Sequence, residues 1–315
     1  MTKENKEISV RVITPATFEG VMGVAILTEM LSDEVSLEVN YESSLDFRDY
    51  NRFDGVDVCL VLGMAYNGYA LPQDFFIKND IPFEDFIHIS TFGEEIKGEH
   101  IVSTVVDGQD PIKTLSSIFI QTPDTVLLSK YIKYSSKIEH MINAVNDYHT
   151  WNWEDNNTTK MLLALYNATY KMLPRLIKGK ELTDIVKEFA PIIKGQMEKM
   201  EELLRRKVEL SKTYDVTVEG EQIILRVAFS EEYINEVAHA LLDINTHKPV
   251  VACVGRLTKG KDIFSIRTSK IDASKIAYLI NEGGGKEEVA SVFSSIGYTE
   301  LMGDSISTAI KDKRW

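Results

Sequence analysis

The stretch IFSIRTSKIDASKIAYLINEGGGKEEVASVF, residues 263–293, decides how this chain is read. It opens on a strand-like run that closes at Arg267. It continues into a short apolar helical segment, DASKIAYLI, which Asp272 is placed to N-cap. Three consecutive glycines, Gly283, Gly284 and Gly285, then precede Lys286. A glycine triplet costs backbone entropy and calls for a reason. One reason is a bare backbone that turns N–H groups toward an anion, with Lys286 adding a point charge. The other is a packing joint, where a helix start lies against a strand. The triplet alone does not choose between them.

Outward from this stretch, the last hundred residues read as a compact α/β unit. YDVTVEGEQIILRVAF has the pattern of a hairpin turning near Glu219 and Gly220. EEYINEVAHALLDI is a helix, KPVVACVGRL and DIFSIRTS are strands, and the residues after the glycines are expected to form an alanine-containing helix. Before this unit, residues 182–211 form a long charged amphipathic run, expected to be a connecting helix. A partner-binding coiled coil is the sharper alternative, but the apolar repeat is short for it. Arg205, Arg206 and Lys207 on this run read as a solvated face.

The first half alternates strand and helix signals. KEISVRVIT, VSLEVNYE, DVCLVLG and FEDFIHIST are strands, and FEGVMGVAILTEMLS is a helix. DVCLVLG is a continuous apolar run of the kind that parallel strands buried on both faces show. Residues 110–180 read as mostly helical. The expectation is an α/β protein: a parallel-sheet domain over 1–180, a connecting helix over 181–212, and a smaller α/β domain over 213–315.

Composition narrows the function classes. The chain has 315 residues, 44% hydrophobic and 26% charged, enough for two domains with separate cores. No apolar run approaches the roughly 20 residues that span a bilayer, and MTKENKEISVRV lacks the apolar core of a signal peptide. No membrane partner is expected. Cys59 and Cys253 sit in strand-like apolar runs and read as buried small hydrophobes, so a reducing, cytoplasmic setting is expected. The net charge of −13 is uneven: residues 1–150 hold 24 acidic and 11 basic side chains, and 151–212 hold 9 and 12. Such an acidic first domain disfavours tight binding of long polyanions and leaves room for a nucleotide or short oligonucleotide.

The order helix, strand, strand ending in Arg267, helix, glycine triplet resembles the DHHA1 domain of the DHH phosphoesterase superfamily, which includes nano-RNases, cyclic-dinucleotide phosphodiesterases and single-strand exonucleases. The resemblance implies that Arg267, Gly283, Gly284, Gly285 and Lys286 form the ligand-binding surface, with Lys286 where the family has histidine. It also implies a DHH domain before it, with two metal ions, usually manganese, held by Asp and His at strand ends. The family's metal motifs fall on other residues here. Pro15, Thr17 and Glu19 stand at the first, with Gly20 kept, and Gly63 at the second. Ser90, Thr91 and Phe92 replace the Asp-His-His. Asp147 keeps the fourth. Glu19 and Asp147 are the weak metal candidates that remain, and His149, near Asp147 in sequence, is a further candidate to join a mononuclear site with Glu19. His88, two residues before Ser90 on the same strand face, reads as a core histidine.

The sequence thus reads as a catalytically inactive relative of these enzymes. It would bind a nucleotide, a short oligonucleotide or a protein partner in the cleft between its domains, with no cofactor and with a homodimer open. Two alternatives stand beside this. One is a manganese-dependent phosphodiesterase with an atypical metal site; the other is a protein-interaction scaffold with no small ligand.

Overall fold

The structure, a computed structural model, describes residues 7–45, 53, 55–66, 85–97, 101–121, 126–153, 156–218, 220–243, 246–257, 262–294 and 297. The chain divides into two compact units, Met1–Met197 and Glu198–Trp315.

The first unit is built on a five-stranded parallel sheet. Its strands are β1 (Ile8–Thr14), β2 (Val35–Tyr41), β3 (Val58–Leu62), β4 (Asp85–Ser90) and β5 (Ile101–Val105), in the order β2-β1-β3-β4-β5. Central β3, VCLVL, is buried at every position, as a strand covered on both faces must be. Edge strand β5, IVSTV, is half-buried throughout and has no apolar run or alternation to announce it; the sequence reading missed it. Helix α1 (Phe18–Met30) follows β1 and is buried on nearly all sides, from Phe18 to Met30. Helices α2 (Pro111–Gln121), α3 (Ser136–His149), α4 (Asn157–Thr169) and α5 (Leu173–Ile177) complete the unit. Within the region expected to be mostly helical over 110–180, Leu127–Tyr131 is a 3-10 turn, and the next α-helix starts only where Ser135 caps the Ile138 N–H.

Helix α6 (Leu182–Leu210) runs through the boundary between the units and contains Pro191. Its Arg205 pairs with Glu202 and Glu209 on the exposed surface.

The second unit is a six-stranded mixed sheet in the order β10-β11-β9-β8-β7-β6. Strands β6 (Lys212–Val218) and β7 (Glu221–Phe229) form the expected antiparallel hairpin; Glu219 in its turn lies outside the described residues. Strand β8 (Val250–Arg256) runs parallel to β7 and antiparallel to β9 (Ile263–Thr268). Helix α7 (Ile234–Leu242) covers one face, packing Val237, Ala238 and Leu241 on Ala252 and Val254. Helix α8 (Ala273–Asn281) covers the other, packing Ala273, Ile276 and Ala277 on Cys253, Ile266 and Val292. Asp272 caps α8 by accepting from the Ser274 and Lys275 N–H groups, as expected.

The residues after the glycines are not a helix. They form β10 (Gly284–Gly285) and β11 (Val289–Phe293), paired antiparallel. Along β11 burial alternates, with Ala290 and Val292 inside, which is the two-residue period of a strand. The single alanine suggested a helix; Val289, Val292 and Phe293 favour extended backbone.

Both cysteines are buried free thiols whose pKa burial pushes up to about 12. Among the described residues, no helix is long and apolar enough to cross a membrane.

The turn from β1 into α1 sets the tightest steric condition in the first unit. A Cβ at Gly20 would lie 1.9 Å from the Pro15 carbonyl oxygen, which is backbone and cannot swing away. Gly20→Ala is therefore expected to cost about 3 kcal/mol or more, measured as a lowered urea midpoint at unchanged m. An unchanged midpoint would show that the turn relaxes.

Candidate functional site

In a parallel sheet, ligands bind beyond the carboxyl ends of the strands, at the point where the strand order reverses. Here β1 is followed by β2 on one side and flanked by β3 on the other, so the reversal lies between β1 and β3. The residues expected from the sequence gather around it. Thr17 caps α1 by accepting from the Gly20 N–H, which places Pro15, Thr17 and Glu19 in the first turn beyond β1. Gly63 closes β3 with φ +70°, a conformation that side chains other than glycine rarely take. Its N–H donates to the Ile89 carbonyl at 2.8 Å. A side chain there would touch Pro15 and Pro111, at 3.7 and 3.9 Å. The reversal point is therefore walled by two proline rings and a bare glycine.

Beyond β4, Ser90 is engaged with the turn that follows. Its hydroxyl donates to the Phe92 carbonyl, and the Phe92 N–H donates back to it at 3.1 Å. Phe92 itself is exposed. His88 is fully buried and bonded at both ring nitrogens, to the Ser103 hydroxyl at 2.9 Å and the Met64 carbonyl at 2.8 Å. Burial holds its pKa below the ordinary value, so it is a neutral core histidine, as expected.

The acidic candidates separate. Asp147 accepts from the Asn156 side chain at 2.7 Å. Glu19 faces the His149 Nδ1 at 3.8 Å. Burial acts to raise the Glu19 pKa, but hydrogen bonding and charge from His149 outweigh it and leave the carboxyl below its ordinary value.

The residue that sequence reasoning missed is Asp110. It is 1% exposed. Its Oδ1 accepts from the Ile112 N–H at 2.8 Å, starting α2, while Oδ2 has no hydrogen-bond partner among the described residues. Burial, then the charge of Glu19, pushes its pKa up to about 7. The pair Asp110-Pro111 is a legible helix-start signal. Nothing local in the sequence, however, says that this cap is buried beside Glu19.

In the second unit, Arg267 lies on β9 opposite Val289 of β11 and Ala252 of β8. Its guanidinium donates to the Asn235 Oδ1 at 2.8 Å. His239, one turn further along α7, has its pKa lowered to about 4 by burial and by the Arg267 charge. The glycines differ from one another. A Cβ at Gly283 would lie 2.6 Å from the Ser291 carbonyl oxygen, and one at Gly285, where φ is +158°, 2.4 Å from the Val289 carbonyl oxygen. Both are demanded by packing against β11. At Gly284 a Cβ would meet nothing within 4 Å among the described residues. Lys286 follows, its N–H donating to the Val289 carbonyl at 2.7 Å.

No protein-family model and no curated protein matches the sequence. Solved structures do match the fold. The DHH domain of a protein described as a member of a ribosomal-protein family matches with TM-score 0.58 at 12% identity, over 98% of this chain and 87% of that one. RecJ from Thermus thermophilus, in complex with Mn2+, matches with TM-score 0.52 at 12% identity. That match covers 98% of this chain but only 52% of RecJ. An exopolyphosphatase-related protein from Bacteroides fragilis matches with TM-score 0.51 at 14% identity, over 97% and 92%. The chain shares the fold of these DHH-domain structures.

Among the described residues at these strand ends, few side chains offer the donors that a pair of manganese ions needs. Hard cations need several carboxylate or imidazole donors converging on one point. Pro15, Gly63 and Phe92 offer none, and Ser90 is committed to its own turn. Among the described residues, no group of three or more His, Cys, Asp or Glu side chains could hold a metal.

Asp110 gives this end of the DHH sheet a defined pH response. Its folded pKa is raised, so its contribution to stability is complete below about 3.8 and is lost as pH rises through about 7. Asp110→Asn keeps the Oδ1 acceptor and removes the charge. It should raise unfolding stability at pH 8 by roughly 1 to 3 kcal/mol and leave it unchanged near pH 4. Denaturant titrations at the two pH values check this; equal effects at both would contradict it.

Proposed function

We propose that this chain binds a nucleotide or short oligonucleotide through Arg267, Gly283, Gly284, Gly285 and Lys286, and that it does so without two-metal phosphoester cleavage. The observation that carries the reading is the contrast between Gly284 and its neighbours. Gly283 and Gly285 have packing reasons to be glycine, whereas at Gly284 no described residue stands within 4 Å of where a side chain would begin. A bare backbone with that clearance, followed by Lys286, suits an anionic phosphate. Arg267 suits the same ligand, since a planar guanidinium binds phosphate oxygens in pairs. Its Asn235 contact fixes the guanidinium before any ligand arrives, which lowers the ordering cost of binding.

The absence of cleavage rests on the first unit. RecJ of the same fold is described with Mn2+, but here the strand ends carry Pro15, Gly63, Ser90 and Phe92. Glu19 and Asp147, the remaining candidates, are engaged with His149 and Asn156 respectively. The acidic first unit favours a short ligand over a long strand.

Isothermal calorimetry of the full chain with AMP, the 5′-phosphorylated dinucleotide pApA and a cyclic dinucleotide tests this. At least one should bind saturably, and Arg267→Ala or Lys286→Ala should weaken it about tenfold or more, the worth of one charge-assisted hydrogen bond. No binding of any of the three would overturn the proposal.

A further inference from the structure

A chain of aromatic rings runs along the carboxyl-end side of the first unit. Tyr166 packs edge-on to Phe18, with centroids 5.7 Å apart, and stands 5.8 Å from Tyr170. The Tyr166 hydroxyl donates to the Ala16 carbonyl at 2.8 Å, which ties these rings to the turn between β1 and α1. Tyr41 ends β2 directly beside Thr14, the last residue of β1. Between Tyr41 and Tyr170 lies Lys171, its ammonium 4.9 Å from one ring centroid and 5.5 Å from the other.

Core packing explains Phe18 but not Tyr170. Tyr170 adopts φ +50° and ψ −127°, a region that costs a side-chain-bearing residue free energy unless its surroundings impose it. Yet the residue is 49% exposed, so little burial offsets that strain. Met172 beside it is 52% exposed. The charge is also out of character for the unit. Residues 170–180, YKMLPRLIKGK, carry Lys171, Arg175, Lys178 and Lys180 and no acidic residue, whereas 1–150 carry 24 acids against 11 bases. An exposed ring held up by strained backbone, a cation clamped beside it and a basic segment following it together suit a base with its phosphate.

We infer that Tyr170, flanked by Lys171 and Tyr41, is a stacking platform for a nucleobase, with Lys171 and Arg175 attracting the attached phosphate. This rests on the reading that the chain binds a nucleotide or short oligonucleotide, and it gives the first unit a base-recognising site of its own. Stacking on one ring changes affinity by roughly 5- to 100-fold and tolerates any base.

Calorimetry of the full chain with pApA and with ribose 5-phosphate, which has the phosphate but no base, tests the inference. Tyr170→Gly accepts the observed backbone and removes the ring; Tyr170→Phe keeps the ring. Expected are about tenfold weaker pApA binding for Tyr170→Gly, binding within about twofold of the parent for Tyr170→Phe, and unchanged ribose 5-phosphate affinity in both. If pApA binds the parent and Tyr170→Gly alters it less than twofold, the platform is refuted while the nucleotide-binding reading stands. Loss of pApA binding in Tyr170→Phe would place the contact on the hydroxyl and overturn stacking. No binding of pApA to the parent chain would overturn the platform and count against the underlying reading too.

Discussion

The approach of α1 to the end of β1 governs what the first unit can present. Three residues, Pro15 to Thr17, separate the strand from the helix, and Gly20 in the helix's first turn lies against the Pro15 carbonyl. Thr17 caps the helix, which is buried on nearly all sides from Phe18 to Met30. This packing brings the first turn of α1 to the reversal point of the sheet, so Pro15, Thr17 and Glu19 line it. The Tyr166 hydroxyl bonds the Ala16 carbonyl in the same turn, which anchors α4 to it. A fold of this kind places whatever it carries at that point, and here it places a proline ring and a carboxylate that faces a histidine.

The chemistry follows from those identities. Two proline rings and Gly63, none of them a donor to a hard cation, stand at the reversal point. The titratable groups stand to one side as a linked set, Glu19 with His149 at 3.8 Å and Asp110 buried under the influence of both. The second unit keeps the features that suit an anion: Arg267 held by Asn235, and Gly284 bare before Lys286.

Much of this fold was legible in the sequence, for identifiable reasons. Buried parallel strands such as VCLVL are continuous apolar runs, and Asp272 and the hairpin over 213–229 carry local signals that tertiary contacts did not override. What escaped depended on packing. Strand β5, with Ser103 and Thr104 at a sheet edge, has no periodicity to read. Strand β11 was taken for a helix because one alanine outweighed the alternation of Ala290 and Val292. At the site, the glycine triplet was visible, but its division into two packing glycines and one open one was not. Asp110 showed only as a residue before proline, since its burial arises from α2, α3 and Glu19 meeting in space.

The claim on which the rest turns is that the carboxyl end of the first sheet lacks the donors for a pair of metal ions. A manganese titration of the full chain near neutral pH, followed by electron paramagnetic resonance of the free ion, measures this directly. The account predicts that the free-ion signal rises in proportion to added metal from the first addition, with no stoichiometric uptake in the micromolar range. Uptake of a pair of ions per chain at micromolar metal, lost on substitution of Glu19 or Asp147, would contradict it.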